Sequence, residues 1–96
     1  MTGVNNGDSE TVDPRGAAPV YRQLAAILRR RITSGQIPPG RVLPSETQLQ
    51  QEFGISRNTV RRSIALLREQ GLAVTVAGRG TYVASPLPGP EDGEDA

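Results

Sequence analysis

Apolar side chains between residues 19 and 84 follow two different spacings. Tyr21, Leu24, Ala25, Leu28 and Ile32 recur three and four apart, the period of a helix that buries one stripe. Arg22, Arg29 and Arg30 fall away from that stripe. Pro19 stands at its start, where a fixed φ suits the opening turn, and Ser34-Gly35 stops it. Pro38-Pro39-Gly40 predicts an extended turn. A second helix is expected from Ser45, because Gln48 three residues on completes a capping box and Pro44 keeps the preceding chain extended. Leu49 and Phe53 form its apolar edge and Gly54 ends it. Ser56 caps a third helix running from about Arg57 to Gln70, with Val60, Ile64 and Leu67 as its stripe and Gly71 as its stop.

After Gly71 the period becomes two. Leu72, Val74 and Val76 alternate with Ala73 and Thr75, as in a short half-buried strand. Ala77-Gly78-Arg79-Gly80 reads as a turn and Thr81-Tyr82-Val83 as the returning strand. A two-stranded hairpin is unstable by itself, so this one must lean on the helices. The predicted fold is mainly α with a small β-hairpin: three helices and a two-stranded wing.

The ends differ in kind. Residues 1–18 are rich in Gly, Asn, Asp, Ser and Thr, and residues 85–96 carry prolines, glycines and acids. Both read as disordered tails, the second also as the start of a linker. The domain proper is then residues 19–84, one unit with an economical core.

Charge sharpens this division. The whole chain carries a formal +1. The stretch from Val20 to Val83 nevertheless holds ten arginines against Glu46, Glu52 and Glu69, a local +7, while Asp8, Glu10, Asp13, Glu91, Asp92, Glu94 and Asp95 sit in the tails. Such a balance on a small core is the footprint of a polyanion binder; a solubilising surface usually mixes both signs. Acidic tails can also screen a basic face by imitating phosphate. The chain has no Cys and no His, so a disulfide framework, a thiolate metal site and the commonest general base are all excluded. No nucleophile–base pair is present, which argues against an enzyme and gives no reason to expect a cofactor or metal. No apolar run approaches the ~20 residues of a membrane span, and the N-terminus lacks the basic start and apolar stretch of a signal peptide. A cytoplasmic protein is expected.

The informative unit is helix, three-residue turn, helix, from Ser45 to Gln70. Gly54-Ile55-Ser56 permits only a sharp change of direction, with Ile55 as the apolar plug. This is a helix-turn-helix, whose second helix enters the DNA major groove by its N-terminal residues. Arg57, Asn58 and Arg61 occupy that end, to one side of the buried stripe. Arginine offers a planar fork to guanine and asparagine a pair to adenine. This reading needs both guanidinium groups clear of intramolecular pairs; the alternative for each is plain solvated charge. Ser45, Ser56 and Thr59 stand at helix starts, where a hydroxyl serves as an N-cap, as a phosphate contact, or as both. Gly78 and Gly80 allow close backbone approach, and Arg79 between them suits a narrow minor groove; the alternative is an ordinary polar hairpin tip. Tyr21 reads as a core ring whose hydroxyl can reach a phosphate at the rim.

The segments PVYRQLAAILRRRITSGQIPPGRVLPSE, FGISRNTVRRSIALLREQGL and GRGTYV, covering residues 19 to 83 almost without interruption, resemble the N-terminal winged helix-turn-helix domain of the GntR family of bacterial regulators. LPSE, SRNTVR and GRGTYV are most similar to the branch in which many members carry a sugar- or metabolite-sensing C-terminal domain. The resemblance implies that Arg57, Asn58, Thr59 and Arg61, with Arg62 beside them, read bases and grip phosphate, and that Gly78, Arg79 and Gly80, followed by Thr81, enter the minor groove. Family members usually place an arginine after LPSE; here that DNA-contacting position is Thr47, and Arg62 or Arg41 is left to compensate. Relatives continue into an effector-binding, dimerising domain, whereas this chain ends in an acidic segment and shows no small-molecule effector site. An excised domain and a minimal repressor without a sensor are both open.

The resulting expectation is a sequence-specific regulator of double-stranded DNA, a repressor that occupies a near-palindromic operator, with two copies meeting on the DNA. The alternative is a winged-helix protein-interaction module, which salt-sensitive duplex binding would discriminate.

Overall fold

The computed structural model describes residues 10–88. Three helices, α1 (Val20–Thr33), α2 (Glu46–Phe53) and α3 (Arg57–Glu69), precede an antiparallel pair, β1 (Ala73–Val76) and β2 (Gly80–Val83). Local signals place the helix boundaries. The Ser45 hydroxyl accepts from the Gln48 backbone N–H at 3.1 Å, and the Gln48 side chain accepts from the Ser45 backbone N–H at 2.8 Å, closing the reciprocal cap. The Ser56 hydroxyl accepts from the Thr59 N–H at 3.2 Å. Between the two helices Gly54 takes φ 65°, a left-handed conformation that costs a residue with a Cβ roughly 1–2 kcal/mol. It turns the chain at once, with Ile55 and Phe53 partly buried against the core.

That core joins Leu24, Leu28 and Ile32 of α1 to Leu49 of α2, Val60, Ile64 and Leu67 of α3, Ala73 of β1 and Val83 of β2, with Leu43 and Leu72 from the connecting segments. Helices α1 and α3 pack directly. Ser63, fully buried in α3, donates its hydroxyl to the Tyr21 carbonyl at 2.8 Å and also reaches the Thr59 carbonyl at 3.0 Å, so this buried hydroxyl is satisfied.

Four features depart from the sequence reading. The first is the wing's orientation. Ala73 faces the core, while Val74 and Val76 are 48% and 39% exposed. In register, Ala73 lies opposite Val83 and Val74 opposite Tyr82, so the small alanine and not the valines occupies the inner face. Leu72 is buried from just before the strand.

The second is an edge segment, Gly40–Leu43, that flanks β2 on the side away from β1. Val42 bridges Tyr82 in antiparallel sense. The backbone bonds are Gly40 N–H to Val83 O at 3.0 Å, Val83 N–H to Arg41 O at 2.8 Å and Leu43 N–H to Thr81 O at 2.8 Å. The proline-rich turn thus delivers a short pairing segment.

The third is Arg31. It is one of the ten arginines credited to the basic surface, yet only 7% exposed. Its guanidinium donates to Glu10 at 2.6 Å and to Glu52 and lies 5.6 Å from the Phe53 ring centroid. A buried arginine needs this pairing, and the hydrogen bonds it donates to Glu10 and then to Glu52 raise its pKa above the usual value.

The fourth is the N-terminal segment, read as a tail throughout residues 1–18. Residues 10–18 are held in place. Besides the Glu10 pair, the Gln23 side chain accepts from the Asp13 N–H at 2.7 Å and donates to the carbonyls of Asp13 at 2.8 Å and Ala18 at 2.7 Å, while Val12 packs on the core. Residues 1–9 and 89–96, including all four C-terminal acids, lie outside the described residues.

Candidate nucleic-acid interface

The short turn sets the first turns of α3 beside the start of α2, and β1 of the hairpin packs against α3, where Arg68 reaches Thr75. Between them lies an open cleft of about 810 Å³. Its walls include Ser45, Glu46 and Thr47 from the start of α2, Arg61 and Arg68 from α3, and Gly78, Arg79, Gly80 and Thr81 from the wing. The segments read separately along the sequence as helix start, recognition helix and hairpin tip therefore share one surface.

Arg57 and Arg61 project from the exposed side of α3, one helical turn apart. They are not clear of intramolecular pairs, as the sequence reading required. Arg57 Nε donates to Glu46 Oε1 at 2.9 Å and Arg61 Nε to Glu46 Oε2 at 3.2 Å. The cause is the turn, which brings position 46, at the first turn of α2, level with the first turns of α3. Both arginine side chains are still 64% and 58% exposed, and exposed pairs of this kind contribute little, typically ~0–1 kcal/mol. Among the described residues the terminal Nη groups of both arginines have no partner. The Arg57 guanidinium holds the Glu46 carboxyl below the usual glutamate range; partial burial opposes this and Arg61 reinforces it.

The other predicted residues fall into distinct places. Asn58 is exposed, and Thr59 is half-buried with its hydroxyl 2.9 Å from the Ser56 hydroxyl. Ser45 and Ser56 both act as N-caps, and Thr47 is exposed on the cleft wall. Tyr21 is not a core ring. It is half-buried beside α3, with the Arg62 guanidinium carbon 4.1 Å from its ring centroid. Its hydroxyl accepts from Arg22 Nε at 3.2 Å. Arg62 and Tyr21 thus form a separate pair on the α1 side, apart from the cleft.

At the wing, the Arg79 backbone N–H donates to the Val76 carbonyl at 2.9 Å and its side chain is exposed. Gly80 has φ 125°, a backbone region that side-chain-bearing residues seldom adopt. Three residues were not singled out from the sequence: Glu46 and Arg68, which donates to Thr75 Oγ1 at 2.7 Å, on the cleft, and Arg22 beside Tyr21. Glu46 and Arg68 acquire their roles from partners on another element, and Arg22 from the adjacent Tyr21; only the acidic position at a helix start pointed to Glu46.

Three helices, a helix-turn-helix with an arginine-bearing second helix, and a hairpin across the cleft define a winged helix-turn-helix domain. The family model described as "Bacterial regulatory proteins, gntR family" matches residues 20–83. The chain belongs to that family.

It is 47% identical over 68 residues to the mannosyl-D-glycerate transport/metabolism system repressor MngR of Escherichia coli (strain K12), covering 71% of this chain and 28% of that protein. It is 37% identical over 75 residues to the HTH-type transcriptional repressor NagR of Bacillus subtilis (strain 168), covering 78% of this chain and 31% of NagR. The chain therefore spans under a third of the length of these relatives. Among solved structures, the DNA-binding domain of AraR in complex with operator ORX1 superposes with a TM-score of 0.72 at 37% identity, over 77% of this chain and 94% of that one. YtrA from Sulfolobus acidocaldarius, a GntR-family transcription factor, superposes with a TM-score of 0.72 at 30% identity, over 79% and 80% of the two chains. Among the described residues no helix is long and apolar enough to cross a membrane.

Proposed function

We propose that this chain, through the unit at residues 19–84, is the sequence-specific DNA-binding domain of a cytoplasmic bacterial transcription repressor. The observation that carries this reading is the convergence of Arg61 and Arg79, from recognition helix and wing, on one open cleft, with Arg57 joined to it through Glu46. The relatives named as repressors and the AraR domain bound to operator support it.

In this reading α3 lies in the major groove. Arg57 and Arg61 present their Nη forks to guanine O6 and N7, and Asn58 meets an adenine edge. Ser45, Thr47, Ser56 and Thr59 fix the register by hydroxyl and backbone N–H contacts to phosphate, and Tyr21 with Arg62 grips the backbone on the α1 side. Gly78, Arg79, Gly80 and Thr81 approach the minor groove. Two copies occupy a near-palindromic site, and occupancy blocks transcription.

The test is selection of bound duplexes from a random pool. An enriched, near-symmetric site is expected. Arg57→Ala or Arg61→Ala should abolish the base preference with the fold intact. Arg79→Ala should weaken binding with a smaller loss of preference. A parent protein that enriches no sequence, and binds duplex no better at low salt than at high salt, overturns the reading.

A further inference from the structure

Glu46 is an acid in the middle of a surface that has to approach a polyanion. A solvated glutamate there repels phosphate and brings no gain, and the first turn of α2 would accept an uncharged residue with only a small loss of helix-dipole interaction. Its carboxylate is instead shared, one oxygen to each arginine, Oε1 to Arg57 Nε and Oε2 to Arg61 Nε. The three side chains form a bridge from α2 to two successive turns of α3.

Two physical consequences follow. Each arginine is engaged on its Nε edge, which leaves its Nη1/Nη2 edge without a partner among the described residues. That outer edge is the one that fits the O6/N7 pair of guanine. A long, flexible side chain bound at Nε has already given up much of the rotamer freedom it would otherwise lose on contacting a base. The carboxylate also cancels one of the two positive charges at the tip of α3, and non-specific attraction to duplex DNA grows with the number of such charges.

Resting on the DNA-binding reading above, we propose that Glu46 is the specificity-setting residue of this surface: a positioning residue that aims the Arg57 and Arg61 forks at bases while suppressing their attraction to phosphate. It touches no base in this role. Its effect is to lower affinity for arbitrary DNA and raise discrimination at the positions that the two arginines read.

The experiment compares the full chain with Glu46→Gln and Glu46→Asp in the random-duplex selection, together with binding to bulk mixed-sequence duplex DNA across a salt series. Circular dichroism melting confirms the fold of each variant. Glu46→Gln removes the charge and weakens both anchors. It should bind bulk duplex several-fold more tightly at low salt and lose about tenfold in preference at the bases assigned to Arg57 and Arg61, the effect of roughly one bidentate contact. Glu46→Asp keeps the charge but is too short to span both arginines. It should keep the parent's weak bulk binding and still lose preference.

A merely structural role would lower the melting temperature and leave the ratio of selected to bulk affinity unchanged. If the parent enriches a site and Glu46→Gln enriches the same site with the same ratio, the inference is overturned while the DNA-binding reading stands. If the parent enriches nothing, the reading itself fails and the inference falls with it.

Discussion

Arg62 stacks over the ring of Tyr21, guanidinium carbon to ring centroid 4.1 Å, so a charge on the recognition helix rests on the first turn of α1. Arg22 completes the group from the Tyr21 hydroxyl side. An arginine stacked in this way is oriented before it meets a phosphate, and a cation–π contact at an exposed site contributes roughly 0.5–1 kcal/mol. Tyr21→Phe keeps the ring and should preserve duplex affinity to within about threefold. Tyr21→Ala removes the platform and should cost clearly more, without changing which bases are selected. Equal binding by the parent and Tyr21→Ala in a fluorescence-anisotropy titration would take this pair out of the interface.

Arg31 ties α1 to the N-terminal segment and to α2. Arg31→Met should lower stability by about 1–3 kcal/mol, the range for lost charged hydrogen bonds. The larger penalty of ~3–5 kcal/mol for a stranded buried charge does not apply in full, because Glu10 and Glu52 are 35% and 42% exposed and can be rehydrated. Urea denaturation checks it; a midpoint unchanged by the substitution contradicts the clasp.

The same contact predicts an acid dependence. The hydrogen bond from Arg31 holds the Glu10 carboxyl below the ordinary glutamate range, against the opposing effect of partial burial. A carboxyl with a depressed folded-state pKa stabilises the fold at pH values above its unfolded pKa, and that stabilisation fades as pH falls through the folded-state value. The parent should therefore melt above Glu10→Gln at pH 7, and the gap should close below a pH of about 4. A gap that is constant from pH 7 to pH 3 would assign the difference to something other than this ion pair.

Ser63 is the polar link in the α1–α3 contact. Ser63→Ala removes the hydrogen bond to the Tyr21 carbonyl and should cost about 0.5–1.5 kcal/mol. Ser63→Leu, forced into a site with no exposure, should cost about 1–3 kcal/mol through overpacking. Thermal melts of the two variants give the ordering, and Ser63→Leu as stable as the parent would mean that the helices are less closely packed than described.

At the wing, Gly80→Ala should destabilise because of the backbone more than the space. An added Cβ would lie 3.6 Å from Val42 Cγ2, an ordinary contact, but the φ of 125° is one that alanine resists. A loss of about 1–2 kcal/mol is expected, with a matching drop in duplex affinity if Arg79 is presented by this turn. A melt indistinguishable from the parent's would show that the turn relaxes freely.

The helices were legible because their signals are local. Ser45, Gln48, Ser56 and Gly54 carry both the capping atoms and the backbone freedom within four residues of where each is used. What escaped is what depends on distant partners. A four-residue strand such as Ala73–Val76 has too few side chains for alternation to say which face is buried; the answer lay in the pairing of Ala73 with Val83. Arg31 stands in a run with Arg29 and Arg30, but it falls on the buried face of α1, and its partners Glu10, 21 residues before it, and Glu52, 21 residues after it, could not be read from the sequence. Of the interface, the arginines and the glycine-flanked tip were readable from motif and helical phase. The bridge through Glu46 was not, since it depends on how closely the three-residue turn draws α2 to α3.

The three backbone hydrogen bonds between Gly40–Leu43 and β2 have a mechanical consequence. The chain leaves that pairing at Leu43 and, past Pro44, enters the cap of α2, so the base of the hairpin and the start of the helix-turn-helix are stitched to a common seam. The base of the hairpin cannot hinge away without unzipping the seam. The pairing therefore fixes the spacing between the base of the hairpin and the start of α2 in the backbone itself, not in side-chain contacts.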